Sequence, residues 1–201
     1  MDHDQSAKYN LLAQDISQVL LSEEDIQTRI SEIGAQISTE YTDKNPLLVG
    51  VLKGVLCFMA DLLRAITIPV EVDFIAVSSY SPEARDQGLV RLVKDLETPI
   101  AGRHVLFVED VIDTGLTLNY LLQTLRMRRP ESLRVCALFN KSKLRLINVP
   151  IDYVGFDLPD RFVVGYGLDY QERYRNLPFV GLLKPHIFQN KVESGSVNEP
   201  R

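Results

Sequence analysis

Glu109, Asp110, Asp113, Thr114, Gly115 and Thr117 are the residues whose types and spacing promise chemistry. They fall in one run, Val105-Leu106-Phe107-Val108-Glu109-Asp110-Val111-Ile112-Asp113-Thr114-Gly115-Leu116-Thr117-Leu118. The apolar opening, Val105 to Val108, reads as a strand buried on both faces, as in parallel sheets. Glu109 and Asp110 are expected just past its end. A hydroxyl-rich turn from Asp113 to Thr117 then leads into a helix. Backbone N–H groups at a helix N-terminus bind anions. The Thr114 and Thr117 hydroxyls add donors, and Gly115 permits positive φ or close approach. Such a turn suits a phosphate, yet the acids around it would repel one. The conflict resolves if those carboxylates bind sugar hydroxyls or a metal ion, or accept a proton. The plain alternative is a strand–turn–helix with a solvated acidic loop.

The elements that must position this turn follow from periodicity. Ser22-Glu23-Glu24-Asp25 fits a capping box, and Ile26, Ile30, Ile33 and Ile37 recur at helical spacing, so the pattern predicts a helix over 23–41. Leu47 to Leu52 reads as a buried strand ending in Lys53-Gly54, and Val55, Phe58, Met59, Leu62 and Leu63 form the stripe of a following helix. Val70 to Ser79 and Leu89 to Lys94 read as an antiparallel arm, and the polar loop between them is a candidate lid. Leu118, Leu121, Leu122 and Leu125 mark the helix after the turn; Leu133 to Phe139 is a further strand, ending at Asn140-Lys141. Strand–helix alternation from Leu47 to Phe139 predicts an α/β fold with a mostly parallel, twisted sheet flanked by helices. Short strands over 152–157, 161–167 and 179–183 are expected to build a small C-terminal hood over its carboxyl edge, with N-terminal residues. The expectation is one domain over 1–188 (core about 22–145, hood about 146–188) and a disordered tail over 189–201.

Composition bounds the function. A chain of 201 residues can bury a sizeable core, and 45% hydrophobic with 24% charged residues is ordinary for a soluble globular protein. A formal net charge of -5 argues against nucleic acid as a partner. Cys57 and Cys136 lie in apolar segments and read as buried thiols in a reduced compartment. The polar start Met1 to Gln5 predicts no signal peptide, and no apolar run reaches membrane-spanning length. A cytoplasmic protein with no membrane partner is expected.

The run from Val105 to Thr117 resembles the phosphoribosyl pyrophosphate (PRPP) motif of type I phosphoribosyltransferases. Leu52-Lys53-Gly54, Ser79-Tyr80, Lys141 and Arg161-Phe162-Val163-Val164-Gly165-Tyr166-Gly167-Leu168-Asp169-Tyr170 with Arg175 resemble the hypoxanthine-guanine members of that family, over roughly Asp15 to Phe188. The resemblance implies transfer of the 5-phosphoribosyl group from PRPP to N9 of a 6-oxopurine, with Mg2+ and release of pyrophosphate. It implies that Asp113, Thr114, Gly115, Leu116 and Thr117 hold the 5-phosphate, with Asp113 also the catalytic base. Glu109 and Asp110 would face the ribose hydroxyls or a magnesium ion, and Asp169 a second magnesium. Lys53 and Gly54 would bind pyrophosphate, with a cis peptide often preceding the lysine, and Arg175 would grip pyrophosphate. Lys141 would donate to the purine 6-oxo group, Phe162 would stack on the ring, and Val163 would offer backbone groups to its edge. Read alone, Lys141 is as well a snorkelling surface lysine and Phe162 a core residue. Ser79 and Tyr80 would belong to a lid, whose Ser81-Pro82-Glu83-Ala84-Arg85 segment departs from the Gly/Ser-rich loop of bacterial relatives. A homo-oligomer, dimer or tetramer, is implied as well. The rivals are a xanthine-preferring enzyme and a PRPP-sensing regulator with weak catalysis.

Overall fold

The structure is a computed structural model that describes residues 9–79 and 90–189. The expected lid loop from Tyr80 to Gly88 and the expected tail beyond Gln189 lie outside the described residues; Gln189 itself ends a helix. The chain divides into a larger unit, Glu24–Asp160, and a smaller unit formed by residues up to Glu23 together with those from Arg161 onward.

In the larger unit the predicted alternation is realised. The elements are α2 (Glu23–Glu40), β2 (Leu47–Leu52), α3 (Leu56–Ala65), β3 (Glu71–Ser79), β4 (Val90–Lys94), β5 (His104–Ile112), α4 (Leu116–Arg126), β6 (Ser132–Asn140) and β7 (Tyr153–Asp157). The six strands lie in the order β4-β3-β2-β5-β6-β7. All neighbours pair in parallel except β4, which returns antiparallel along β3 as the predicted arm. Parallel strands need helical crossovers, and these cover the sheet faces. α4 contributes Leu118, Leu121, Leu122 and Leu125 to a core with Leu47, Val49, Val105 and Phe107. Leu48 and Leu106 alternate with these and are also fully buried. α2 buries Ile26, Ile30, Ile33 and Ile37, and α3 buries Phe58, Met59 and Leu62.

Two expectations change here. β5 does not stop at Val108 but runs to Ile112, so Glu109 and Asp110 are strand residues, with Glu109 paired to Ala137 of β6. The segment expected to open the hood, Tyr153–Asp157, is instead the outer strand of the large sheet, parallel to β6. The division therefore falls at Asp160–Arg161 rather than near residue 145. Arg29 of α2 donates to the Gly155 (3.2 Å) and Val154 (2.7 Å) carbonyls of that strand.

The smaller unit holds α1 (Asn10–Ala13), β1 (Ile16–Leu21), β8 (Val163–Val164), β9 (Val180–Leu183) and α5 (Pro185–Gln189). Its antiparallel sheet has the order β1-β9-β8, so N-terminal residues do join the C-terminal strands. The strand expected over 161–167 shrinks to Val163–Val164, because Gly165, Tyr166 and Gly167 all have positive φ (100°, 48° and 91°) and turn the chain. Tyr174 donates to Asp15 (2.7 Å), tying the two ends of the chain within this unit.

At the C-terminus of α2, Glu40 accepts from Gln36 (2.9 Å), Tyr153 (2.7 Å) and Arg134. These bonds hold its carboxyl at about 2, below the ordinary 4.5. A lowered folded-state pKa stabilises the fold fully above the unfolded value and loses that contribution as pH falls towards the folded one. Glu40→Gln is thus expected to flatten the decline in melting temperature between about pH 4.5 and pH 2. An unchanged acid limb of the thermal-melting profile would refute the assignment.

Candidate active site

Parallel pairing sets the carboxyl ends of β2, β5 and β6 along one edge of the larger unit, the edge at which open α/β sheets bind ligands. Lys53-Gly54 follows β2, Asp113–Thr117 follows β5 and Lys141 follows β6. Pairing of Ile112 with Asn140 aligns the last two ends, and the Lys141 N–H donates to the Ile112 carbonyl (3.0 Å).

The turn after β5 has the form expected for an anion. Gly115 is buried and is the N-cap of α4, with φ 80° and no side chain of its own to cap the helix. The first N–H groups of a helix lack intrahelical acceptors, so an uncapped start leaves donors for a ligand. Thr114 Oγ1 lies 3.4 Å from the Leu116 N–H, and the Thr114 carbonyl accepts from Leu146 (3.0 Å) and Ile147 (3.1 Å). A β-carbon at position 115 would fall 2.7 Å from the Ile147 carbonyl oxygen, so only glycine fits between turn and brace. Asp113 is half exposed, and Lys141 Nζ stands 3.6 Å from its Oδ1. With a side chain only 12% exposed, Lys141 is an enclosed cation and not a snorkelling surface lysine.

Glu109 and Asp110 occupy different surroundings although adjacent. Glu109 is buried, and burial together with the Asp110 charge pushes its carboxyl well above the usual range. Asp110 Oδ1 accepts from the Val111 N–H (2.8 Å), while Oδ2 faces Gly54. A β-carbon at position 54 would fall 1.7 Å from Asp110 Oδ2, so the loop after β2 lies directly against this carboxylate. The Leu52–Lys53 peptide in that loop is cis. Gly54→Ala is expected to displace Asp110 and lower turnover by about tenfold or more with the fold intact, since misplacing a positioned group by an ångström can cost up to ~100-fold. Unchanged steady-state rates in the variant would show the contact to be incidental.

Among the described residues no group of three or more His, Cys, Asp or Glu is arranged to hold a metal ion. The donor chemistry still fits magnesium, which prefers one or two carboxylates, water and substrate oxygens to an all-protein cage.

The smaller unit carries the other predicted residues. Phe162 is 45% exposed, against Tyr170 edge-on (5.5 Å between ring centres), and is not a core residue. Val163 is buried in β8, the outer strand of its sheet, so one side of its backbone lies outside the β9 ladder. Asp169 is paired with Arg175 (2.7 Å), which also donates to the Gly167 carbonyl (2.7 Å). Arg161 and Arg173 are exposed, as expected of surface charges. Ser79 ends β3, and the rest of the proposed lid lies outside the described residues. Sequence reasoning missed the Gly54–Asp110 contact and the brace over Arg145 to Ile147 behind the turn; neither has a sequence signal, because both join segments distant in the chain.

A parallel sheet with a glycine turn at a helix start, acids on the strand that feeds it and an enclosed lysine beside them is an arrangement able to hold a phosphorylated sugar. Residues 19–171 match the family described as the phosphoribosyl transferase domain. The chain is 48% identical to the hypoxanthine-guanine phosphoribosyltransferase of Bacillus subtilis over 180 residues, covering 90% of this chain and 100% of that protein. It is 51% identical to the protein of the same name from Mycobacterium tuberculosis, covering 87% and 90%. A solved hypoxanthine phosphoribosyltransferase from Staphylococcus aureus superposes with a TM-score of 0.85 at 43% identity, covering 89% of this chain and 97% of that one. The chain belongs to the phosphoribosyltransferase family, among its hypoxanthine-guanine members.

Proposed function

We propose that the chain transfers the 5-phosphoribosyl group of PRPP to N9 of hypoxanthine and guanine, releasing pyrophosphate, as a purine-salvage enzyme. The observation that carries this reading is the uncapped Gly115 turn with Asp113 and Lys141 3.6 Å apart beside it. Turn N–H groups and the Thr114 and Thr117 hydroxyls hold the 5-phosphate, with Leu116 contributing only its backbone. Glu109 and Asp110 face the ribose, where a carboxyl raised by burial can donate to a hydroxyl and an ionised one accepts. Lys53 and Gly54 bind pyrophosphate.

Asp113 takes the purine proton as N9 bonds to C1 and the bond from C1 to pyrophosphate breaks. Lys141 donates to the 6-oxo group. In the smaller unit, Phe162 stacks on a purine face and Val163 offers backbone groups to a purine edge. Arg175 binds pyrophosphate after leaving its pairing with Asp169. Glu109 and Asp110 would hold a magnesium ion with PRPP and Asp169 a second one, and the metal would supply neutralising charge to the leaving group.

A homo-oligomer and a cytoplasmic location complete the reading. Both are supported by family membership. No helix among the described residues is long and apolar enough to cross a membrane. Pyrophosphate release assayed with hypoxanthine, guanine, xanthine and adenine tests the function. Release with the first two is expected; preference for xanthine, or no release with any base, would overturn it.

A further inference from the structure

Behind the phosphate turn lies a cation that the reaction as described does not use. Arg145 follows the short 3-10 turn Ser142–Leu144 after β6. Its Nη2 donates to Asn140 Oδ1, and Asn140 Nδ2 donates in turn to Asp157 (2.6 Å). Arg145 is thereby tethered to the ends of β6 and β7. Its Nη1 is buried and has no hydrogen-bond partner among the described residues. That nitrogen sits under the turn: a β-carbon at Gly115 would lie 3.3 Å from Nη1 and 3.1 Å from Cδ. The next two residues, Leu146 and Ile147, donate their N–H groups to the Thr114 carbonyl. Asn140, Arg145, Leu146 and Ile147 together form one brace against the back of the turn.

A buried, unpaired donor on a charged group is costly, and native structures keep few of them. Burial lowers the proton affinity of this guanidinium and the Asp113 charge opposes that, so the anionic side of the site already acts on it. An anion seated in the turn would compensate the desolvated charge beneath. We infer that Arg145 is a positioning residue for the 5-phosphate: tethered by Asn140, it holds the turn around Gly115 in its anion-binding form and supplies positive charge from behind. The inference rests on the reading that this turn binds the 5-phosphate.

The test compares a ligand carrying that phosphate with one lacking it, in the full-length protein. Arg145→Gln is expected to raise the Kd for inosine 5-monophosphate and the KM for PRPP about 10–100-fold, with the KM for hypoxanthine and kcat within about threefold. Arg145→Lys restores part of the loss, since it keeps the charge without the planar fork. A purely structural role would weaken phosphate-bearing and phosphate-free ligands alike, and that result overturns the inference. Thr114→Ala with Thr117→Ala probes the turn itself. If this pair weakens the nucleotide and Arg145→Gln does not, the inference falls while the reading of the turn stands. If neither does, both fall. Should Arg145→Gln fail to fold, Asn140→Ala, which frees the guanidinium but keeps it, must show the same selective loss in smaller degree, or the inference is wrong.

Discussion

Asp113→Asn is expected to fold like the parent and keep its KM for PRPP within about threefold while kcat falls about 10²–10⁴-fold, the range of general acid–base contributions. The substitution is nearly isosteric. It leaves the N–H groups of the turn, which should dominate donor affinity, where they are. It removes the acceptor proposed for the purine proton, and it replaces the charge facing Lys141 at 3.6 Å by an amide. Steady-state kinetics would decide the matter, and unchanged kcat would remove Asp113 from the chemistry. The loss should fall short of abolition. The greater part of the barrier lies in the charge developing on ribose and pyrophosphate, which other groups stabilise.

Lys141→Gln should show its effect in the choice of acceptor. An ammonium only donates, so it suits a 6-oxo group and leaves a 6-amino group facing a like donor. A glutamine amide can turn either its oxygen or its nitrogen to the ligand. Loss of a charge-assisted hydrogen bond predicts a fall in kcat/KM for hypoxanthine and guanine of roughly 10–100-fold. The preference over adenine should narrow by a similar factor, since sites built around a specific hydrogen bond discriminate by leaving it unmade for the wrong substrate. The side chain is 12% exposed, so solvent cannot readily replace it. A competition assay with hypoxanthine and adenine reads this out. An unaltered ratio would assign purine selection elsewhere.

Local pattern made much of this legible. The isoleucine stripe of α2, the apolar run of β2 and the leucines of α4 name their elements because one face must be apolar. The harder part was non-local. N-terminal residues were expected beside the C-terminal strands, but β1 itself was not named as a strand: it pairs with β9, more than 150 residues away and through two register shifts. β7 joins the large sheet through pairing with β6, which a short run cannot encode by itself. Charge was read as the end of β5, yet Glu109 is buried within it, against the apolar habit of the strand. The strand expected over 161–167 failed because the glycines and Tyr166 turn left-handed. Of the site, the turn and its acids could be read directly. The seat of Asp110 against Gly54 and the guanidinium beneath Gly115 needed three dimensions.

The continuation of β5 through Glu109 and Asp110 has a bearing on motion. These residues stand on an interior strand, with Glu109 opposite Ala137 and Val111 opposite Phe139. Amide protons in such ladders exchange with solvent only through large openings of the fold, whereas loop amides exchange through local ones. The two acids thus inherit the stiffness of the sheet, and their backbone is already ordered before any ligand arrives. Binding then need not immobilise them, which removes one entropic cost of association.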